Sequence, residues 1–572
     1  MNEKKKKWIC YGIILIVATL MCYPLFRDSF FSSHDGDFHM ARSFGTLEQI
    51  RNGNSIFVIA RYSHNLGFAW NLFYPPVSTF ISAFFELLSG DVAIGMKCFI
   101  FLTYFLSGIS MFKLVNDIYK DKKAAIIASV IYMTAPYRIL NTYTRLAVGE
   151  MASFIFIPMI FRGIYYILNE KMDKKYIFIF GTILLLLSHN ISTLLVFILG
   201  FILVCLNIKK IFANKKTILW PLIDSLIIIV LSVLFFEIPL IETKMGAEYE
   251  VFRYGKMYSR TSVMGHALNP LQLLFRNADG TDSSMYFCIG LPILIGLILT
   301  LFYYKKNKDK ELYRYFLLVG VISLISSTFI FPWIMMPSII LMIQFPWRLL
   351  SVIILCFSII GGINLGILID LIIIKFKNKK NVKLLSIPFL IIYILSCLYS
   401  LSFVKNLDFK DIDNSHYTEK EIIDTNYKVS RYSSFLEYWP QKAIDSIDYV
   451  ANYDNKIHIL SGNAMISNEN KENGILTFDI NNISDNTTLE LPFLFYKGYV
   501  VKYKSYASDE VSIIKCNESE HGLIQIDLAT NVNGYFEVSY HTTKLHKICI
   551  GISSITFISY LIYILYKKIK FC

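Results

Sequence analysis

The sequence predicts an α-helical polytopic membrane protein with one extracellular, mostly β domain near its C-terminus. Three observations predict it. Of 572 residues, 55% are hydrophobic and 17% charged, where soluble chains average nearer a quarter charged. Several apolar runs reach the roughly 20 residues needed to cross a bilayer. Lysine clusters fall in the short loops between those runs, the positive-inside pattern. The formal net charge of +13 therefore reports membrane topology, and no nucleic-acid partner is expected. The ten cysteines show no metal-ligand spacing. Cys10, Cys22, Cys205, Cys356 and Cys397 lie in apolar runs as packing residues, and Cys516 has no partner within its own segment.

Lys4 to Lys7 hold the start of the first span, 8–26, in the cytoplasm. The run resembles a signal peptide, but no small-residue cleavage site follows, so it reads as an uncleaved helix. An outer loop, 27–76, comes next. Within it 37–51 reads as a helix stopped by Gly53. Met40, Phe44, Leu47 and Ile50 fall on one side and His39, Arg42, Thr46 and Gln49 on the other. That pattern predicts an amphipathic helix lying in the interface, its polar edge turned toward a site. The run 77–88 is short for a span. Lys113, Lys120, Lys122 and Lys123 belong in the cytoplasm if 92–112 crosses inward, which leaves 77–88 re-entrant or in-plane.

The remaining spans alternate: 124–136, 150–168, 176–188, 191–207, 220–240, 286–304, 312–333, 346–374 and 384–404, with a second large outer loop over 242–285. The division is thus a transmembrane domain over 1–404 and an extracellular β-rich domain over 405–545, where charged and Asn residues rise. Alternation over 475–480, 498–503 and 535–540 predicts strands there. A last span and basic tail occupy 546–572. About 12 spans result, with both termini cytoplasmic in the cell membrane.

Under this topology the unusual polar residues gather at the outer ends of spans. His34, Asp35, Asp37, His39 and Arg42 lie within nine residues of the first loop, and Arg61 follows. Arg138, Arg145 and Glu150 flank the next outer turn, and His189 a third. Glu237, Glu242, His266, Arg276, Asp279 and Asp282 belong to the large loop or its approach, and Gln344, Trp347 and Arg348 precede a span. Ionisable groups at such depths are costly and tend to be functional. Carboxylates with several arginines suit a substrate carrying phosphate at headgroup level, because Arg binds phosphate bidentately. Asp35 and Asp37 are candidate general bases or, with His39, ligands of a hard divalent cation such as Mg or Mn. Plainer readings stand beside these. Asp-Gly-Asp is also a helix N-cap turn, arginines near membrane ends snorkel to headgroups, and His189 at a short turn suits helix packing.

His34-Asp35-Gly36-Asp37-Phe38-His39-Met40-Ala41-Arg42, then Phe73-Tyr74-Pro75-Pro76, Pro136-Tyr137-Arg138 and Gly149-Glu150, resemble the bacterial membrane proteins named as related to 6-pyruvoyl-tetrahydropterin synthase. Nothing here resembles the soluble pterin enzyme itself. That group is similar to the GT-C glycosyltransferases, which use polyprenyl-phosphate-linked sugars outside the cytoplasm. The resemblance covers roughly 8–374. It implies a GT-C-like module in which Asp35 or Asp37 matches the first-loop aspartate that acts as base or metal ligand. The expected function is transfer of a sugar from a polyprenyl-phosphate donor to a cell-surface glycan, lipid or protein acceptor at the outer face, beside membrane lipids. His34, His39, Arg42, Arg61, Tyr74, Arg138, Arg145, Glu150, His189 and Arg348 are the expected substrate-binding residues. A transporter or flippase of a lipid-linked glycan precursor is the first rival. It calls for charges near the bilayer midplane, where few lie. A non-catalytic membrane scaffold whose β domain binds wall polymer or protein is the second.

Overall fold

The computed structural model describes residues 3–570 apart from 254–258, 275–284, 308–309, 377–394, 396–397, 405–406, 420, 431, 433–435, 484–485, 509 and 531. Most of the expected span 384–404 lies outside the described residues, as do Arg276, Asp279 and Asp282. The chain forms two compact units, each discontinuous in sequence. One comprises Met1–Gly36, Met96–Val230 and Lys256–Ile412; the other comprises Asp37–Gly95, Leu231–Gly255 and Asp413–Cys572.

The first unit is helical. Its core is the helix Leu350–Phe376, which packs against Lys122–Thr134, Leu291–Asn307 and Glu311–Ser326. Ile353, Ile354, Leu355, Phe357, Ile359 and Ile360 are buried all round the helix, as a helix without a polar face must be. Small residues let the backbones close. A Cβ on Gly296 would lie 2.6 Å from Gly361 Cα, and one on Gly362 2.6 Å from Ala124 O, the close approach that apolar helix pairs use. The first outer loop joins this unit by backbone pairing: Phe30–Phe31 runs antiparallel to Phe409–Lys410.

Five described helices are long and apolar enough to cross a membrane: Val92–Tyr119, Val148–Leu168, Lys215–Gly246, Pro346–Ile372 and Lys544–Lys567. Two other expected spans, 124–136 and 176–188, form short helices close to their expected bounds. Lys122–Thr134 has 13 residues and Tyr176–Leu186 has 11, about 20 Å or less at 1.5 Å per residue. Pro136 stops the first of these and His189 re-caps the chain after the second, so the apolar runs break before they reach bilayer length.

The second unit contains two antiparallel sheets. One orders Val511–Ile514, Tyr499–Ser505, Asn533–Tyr540, Ile475–Asn482 and Ala464–Glu472; the other orders Asn517–Glu518, Leu523–Ala529, Asn486–Leu494 and His458–Ser461. The three strands expected from alternation are neighbours in the first sheet, with Phe536 opposite both Phe478 and Tyr503. Leu476, Phe478 and Ile480 are buried in one sheet with the period-two burial of a strand with one dry face, while Leu489 to Leu494 of the other sheet are buried on both faces. The unit takes in more chain than the expected 405–545. Trp439 is fully buried and donates to Ser63 Oγ at 2.9 Å, and Phe73 stacks on Tyr438 at 5.0 Å.

Candidate functional site

The first unit gathers Asp35, Arg145, Glu150, His189 and Arg348 into one polar cluster. Local sequence explains each placement. Pro136 opens a short helix, Pro136–Ile139, that widens into a single π-turn, Leu140–Thr144. Such π-turns often mark functional positions. Leu146 then takes a left-handed φ of 52°, uncommon and costly for a bulky residue. The turn aims Arg145 back at Glu150 in the first turn of Val148–Leu168. Two backbone bonds dock the first outer loop here, His34 N to Thr144 O and Asp35 N to Arg145 O, each 2.9 Å.

Glu150 is the hub. It is 3% exposed. Its Oε2 accepts from Tyr137 Oη at 2.7 Å and Asn141 Nδ2 at 3.1 Å, and its Oε1 from Arg145 Nη1 at 2.9 Å. Arg348 Nε stands 3.4 Å from the same Oε1. Arg145 Nη1 also donates to Asn141 Oδ1 at 2.7 Å. The two guanidiniums lie over aromatic faces, Arg145 4.7 Å from the Trp347 ring and Arg348 4.8 Å from Phe345, and those two rings stack at 4.9 Å. Arg348 is further held by Ile343 O and Gln344 Oε1. Among the described residues Arg145 spends only Nη1 on hydrogen bonds, which leaves the donors on Nε and Nη2 for a ligand.

Asp35 is half-buried, with the exposed His34 beside it. Burial raises its carboxyl pKa, with Glu150 adding to the rise and Arg145, His34 and Arg348 pulling it back. Asp35 thus keeps more proton affinity than an ordinary aspartate, as a general base requires. His189 caps Asn190–Leu206: its Nδ1 accepts from Ser192 N at 3.1 Å. A backbone N–H only donates, so Nδ1 is unprotonated and the ring is neutral with its proton on Nε2. Burial agrees, lowering the His189 pKa to about 4 despite Glu150, with Arg348 and Arg145 adding to the drop.

The other expected residues have different surroundings. Arg138 is fully buried; it donates to Met151 O and Thr103 Oγ1, both 2.9 Å, between the Tyr104 and Phe154 rings. In the second unit Arg42 is fully buried and donates to Asn71 Oδ1 at 2.8 Å, Tyr74 O at 2.7 Å and Pro75 O at 3.2 Å. These two arginines are internal braces, and the substrate contact expected of them does not fit their burial. Tyr74 lies under the Arg42 guanidinium at 4.7 Å, and buried His39 packs on Tyr74 at 5.4 Å. The helix expected at 37–51 forms as Gly36–Arg51. Its polar side is interior: Arg42, Ser43 and Thr46 are fully buried and Gln49 3% exposed, while Ile50 is 50% exposed. Met40 and Leu47 on the apolar side are buried as well, so the helix is interior on both sides where an interfacial one is expected, and its polar stripe meets protein acceptors. Asp37 at its start stands 3.7 Å from His416 Nε2 and 3.5 Å from Tyr417 Oη. Arg61 forms a two-pronged pair with Glu48, 2.6 Å on each arm.

Among the described residues no three of His, Cys, Asp and Glu are placed to hold a metal ion, so Asp35, Asp37 and His39 form no closed site. Tyr137 and Asn141 complete the cluster and were not anticipated. The signal was present: Tyr137, Asn141 and Arg145 are spaced i, i+4, i+8, one stripe of a helix.

The fold and this cluster define a multi-helix membrane protein with a polar site at helix ends. Residues 72–404 match the family model described as "6-pyruvoyl-tetrahydropterin synthase related domain; membrane protein", and the chain belongs to that family. An uncharacterized protein of Lactococcus lactis subsp. cremoris (strain MG1363) is 27% identical over 262 residues, 44% of this chain and 42% of that protein. The alignment thus spans less than half the length of the relative. Among solved structures, ArnT from Cupriavidus metallidurans bound to undecaprenyl phosphate superposes with a TM-score of 0.39 at 15% identity, covering 63% of this chain and 60% of that one.

Proposed function

We propose that the protein is a membrane glycosyltransferase of GT-C type, moving a sugar from a polyprenyl-phosphate donor to a cell-surface acceptor at the outer face. The observation that carries this reading is Asp35 docked by its backbone on Arg145, in the joint field of Arg145, Arg348 and Glu150. A carboxylate of raised proton affinity sits beside guanidinium donors that the chain leaves open. In the reaction Asp35 takes the proton of an acceptor hydroxyl. The hydroxyl oxygen bonds to the anomeric carbon as the carbon–oxygen bond to the lipid phosphate breaks. The phosphate leaves with the electron pair, and Arg145 and Arg348 offset its charge. His189 donates Nε2–H and does not compete for the proton.

A divalent cation fits this reading only with the substrate's help. Mg²⁺ is commonly bound by one or two carboxylates plus substrate phosphates, and Asp35 is the carboxylate present. Bound there, it would supply Lewis-acid stabilisation of phosphate charge. The reading keeps about 12 spans, cytoplasmic termini and an extracellular β-containing unit.

The test is Asp35→Asn in cells, read by mass spectrometry of surface glycans with membrane insertion checked in parallel. A loss of at least about 100-fold is expected, the lower end of a general-base contribution. Asp37→Asn, whose carboxylate faces His416 and Tyr417, is expected to retain modification. Full modification by inserted Asp35→Asn overturns the assignment.

A further inference from the structure

The second unit contains two adjoining cavities of about 500 and 550 Å³ that share Arg61, Asn65 and Asn455 in their walls. Each has the size of a ligand pocket, but neither has the apolar lining of a lipid site. The first is edged by Gln49, Asn52 and Asn473, the second by Asn452 and by Tyr417, Tyr432 and Tyr453. A carboxamide offers donors and acceptors together, which matches vicinal hydroxyls, each of them donor and acceptor at once. Across both walls carboxylates outnumber Lys and Arg six to three, and Arg61 is already paired with Glu48. That balance repels phosphate- or carboxylate-bearing polymers.

The shared wall is strained. Ser63, His64 and Asn65 hold φ of 56°, 55° and 64° in succession, and Asn455 holds 63°. Three consecutive left-handed residues without a glycine are rarely visited. The turn persists because partners pin it: Ser63 N donates to Glu421 Oε2 at 2.5 Å, Trp439 Nε1 to Ser63 Oγ at 2.9 Å and Lys471 Nζ to Asn65 O at 2.6 Å. Lys471 also reaches Asn455 Oδ1 at 3.0 Å, tying the two left-handed segments together. Backbone held against preference is characteristic of ligand clamps. The buried Tyr453 hydroxyl has no hydrogen-bond partner among the described residues, a debt that a ligand hydroxyl at this wall would settle.

We infer that the trough formed by these two cavities binds an uncharged glycan, with the left-handed turn at Ser63–Asn65 as its fixed wall. The inference stands apart from the transferase reading, since binding here needs no chemistry at Asp35.

The experiment uses the full chain in nanodiscs and saturation-transfer-difference NMR. The probes are neutral tetrasaccharides of glucose, galactose, mannose, rhamnose and N-acetylglucosamine, with a glycerol-phosphate tetramer as the anionic comparator. At least one neutral probe is expected to receive signal and the anionic one none. Asn455→Gly keeps the left-handed backbone and removes the amide; Tyr453→Phe removes only the unpartnered hydroxyl. Each is expected to weaken binding about fivefold, the loss of one net hydrogen bond; thermal unfolding is expected to stay unchanged in Tyr453→Phe and to fall in Asn455→Gly, which also gives up the bond from Lys471 Nζ. If Asn455→Gly misfolds, Tyr453→Phe decides. Asp35→Asn is expected to bind as the natural chain does, so loss of transfer and loss of binding are separable. No signal from any neutral probe, stronger signal from the glycerol-phosphate comparator, or undiminished binding in the folded variants overturns the inference.

Discussion

At Asp35, burial and Glu150 favour the protonated carboxyl while Arg145, His34 and Arg348 favour the charged one. Burial wins, so the base form is lost at a higher pH than for an ordinary aspartate. The acid limb of kcat/KM is therefore expected above the usual aspartate range. Arg348→Gln removes a positive charge that stabilises the carboxylate, so it is expected to move that limb further up in pH as well as raise KM. A limb that stays put or moves down would detach Asp35 from the rate. His189, with its pKa near 4, adds no limb around neutrality. Glu150 answers a different question, that of stability. Its carboxylate compensates Arg145 and Arg348 in a nearly dry site, and Glu150→Ala leaves a buried guanidinium unmatched. A loss of about 3–5 kcal/mol is expected in thermal unfolding, where Asp35→Asn is expected to cost little. Arg145, Glu150, His189 and Arg348 were legible because ionisable residues at the ends of apolar runs are conspicuous. Which of them touch was not, because that depends on the π-turn and on the left-handed Leu146 that aim Arg145.

The helix Gly36–Arg51 shows what periodicity tells and what it withholds. A 3.6-residue pattern locates a polar stripe, but the same stripe can face headgroups or protein acceptors. The answer lay 25 or more residues downstream, where Asn71 bridges Thr46 Oγ1 at 2.9 Å and Ile56 O at 2.7 Å while accepting from Arg42. Arg42→Met keeps length and apolar packing but strips donors from Asn71, Tyr74 and Pro75. Unmet buried acceptors cost about 1–3 kcal/mol each, so a destabilisation of about 3 kcal/mol is expected by chemical unfolding. A headgroup-facing arginine would cost almost nothing, which makes the measurement a test of the orientation. Strands fared better at this scale, since Ile475–Asn482, Tyr499–Ser505 and Asn533–Tyr540 alternate dry and wet residues by themselves. The short helices were legible as well: Pro136 and His189 mark where each apolar run ends, and Lys122–Thr134 and Tyr176–Leu186 stop within three residues of them.

For the whole molecule, the discontinuity of the second unit decides how it folds. Composition separates the β-rich chain after 405 from the apolar chain before it, yet contacts join it to two earlier segments. Tyr249 stacks on Tyr496 with planes 3° apart, Leu494 N donates to Leu66 O at 2.8 Å, and Asn54 Nδ2 donates to Asn473 O at 2.7 Å. Phe73, Tyr249 and Tyr438 form one aromatic cluster drawn from all three segments. Long-range aromatic contacts of this kind are invisible to any local window, because neither partner signals the other along the chain. They also set an expectation for the isolated fragment 405–545. Without 37–95 and 231–255, Tyr438, Trp439 and Tyr496 lose the surfaces that bury them, and an apolar patch of that kind opens a chain to loose states and aggregation. The fragment is expected to keep far-UV β signal, lose near-UV ellipticity and bind ANS, the marks of collapsed but unpacked structure. A scaffold whose binding rests on the β sheets alone requires the reverse, a fragment with the near-UV spectrum and sharp unfolding of the full chain. The two spectra, taken side by side, choose between a portable binding module and a unit that exists only when the chain around it is whole.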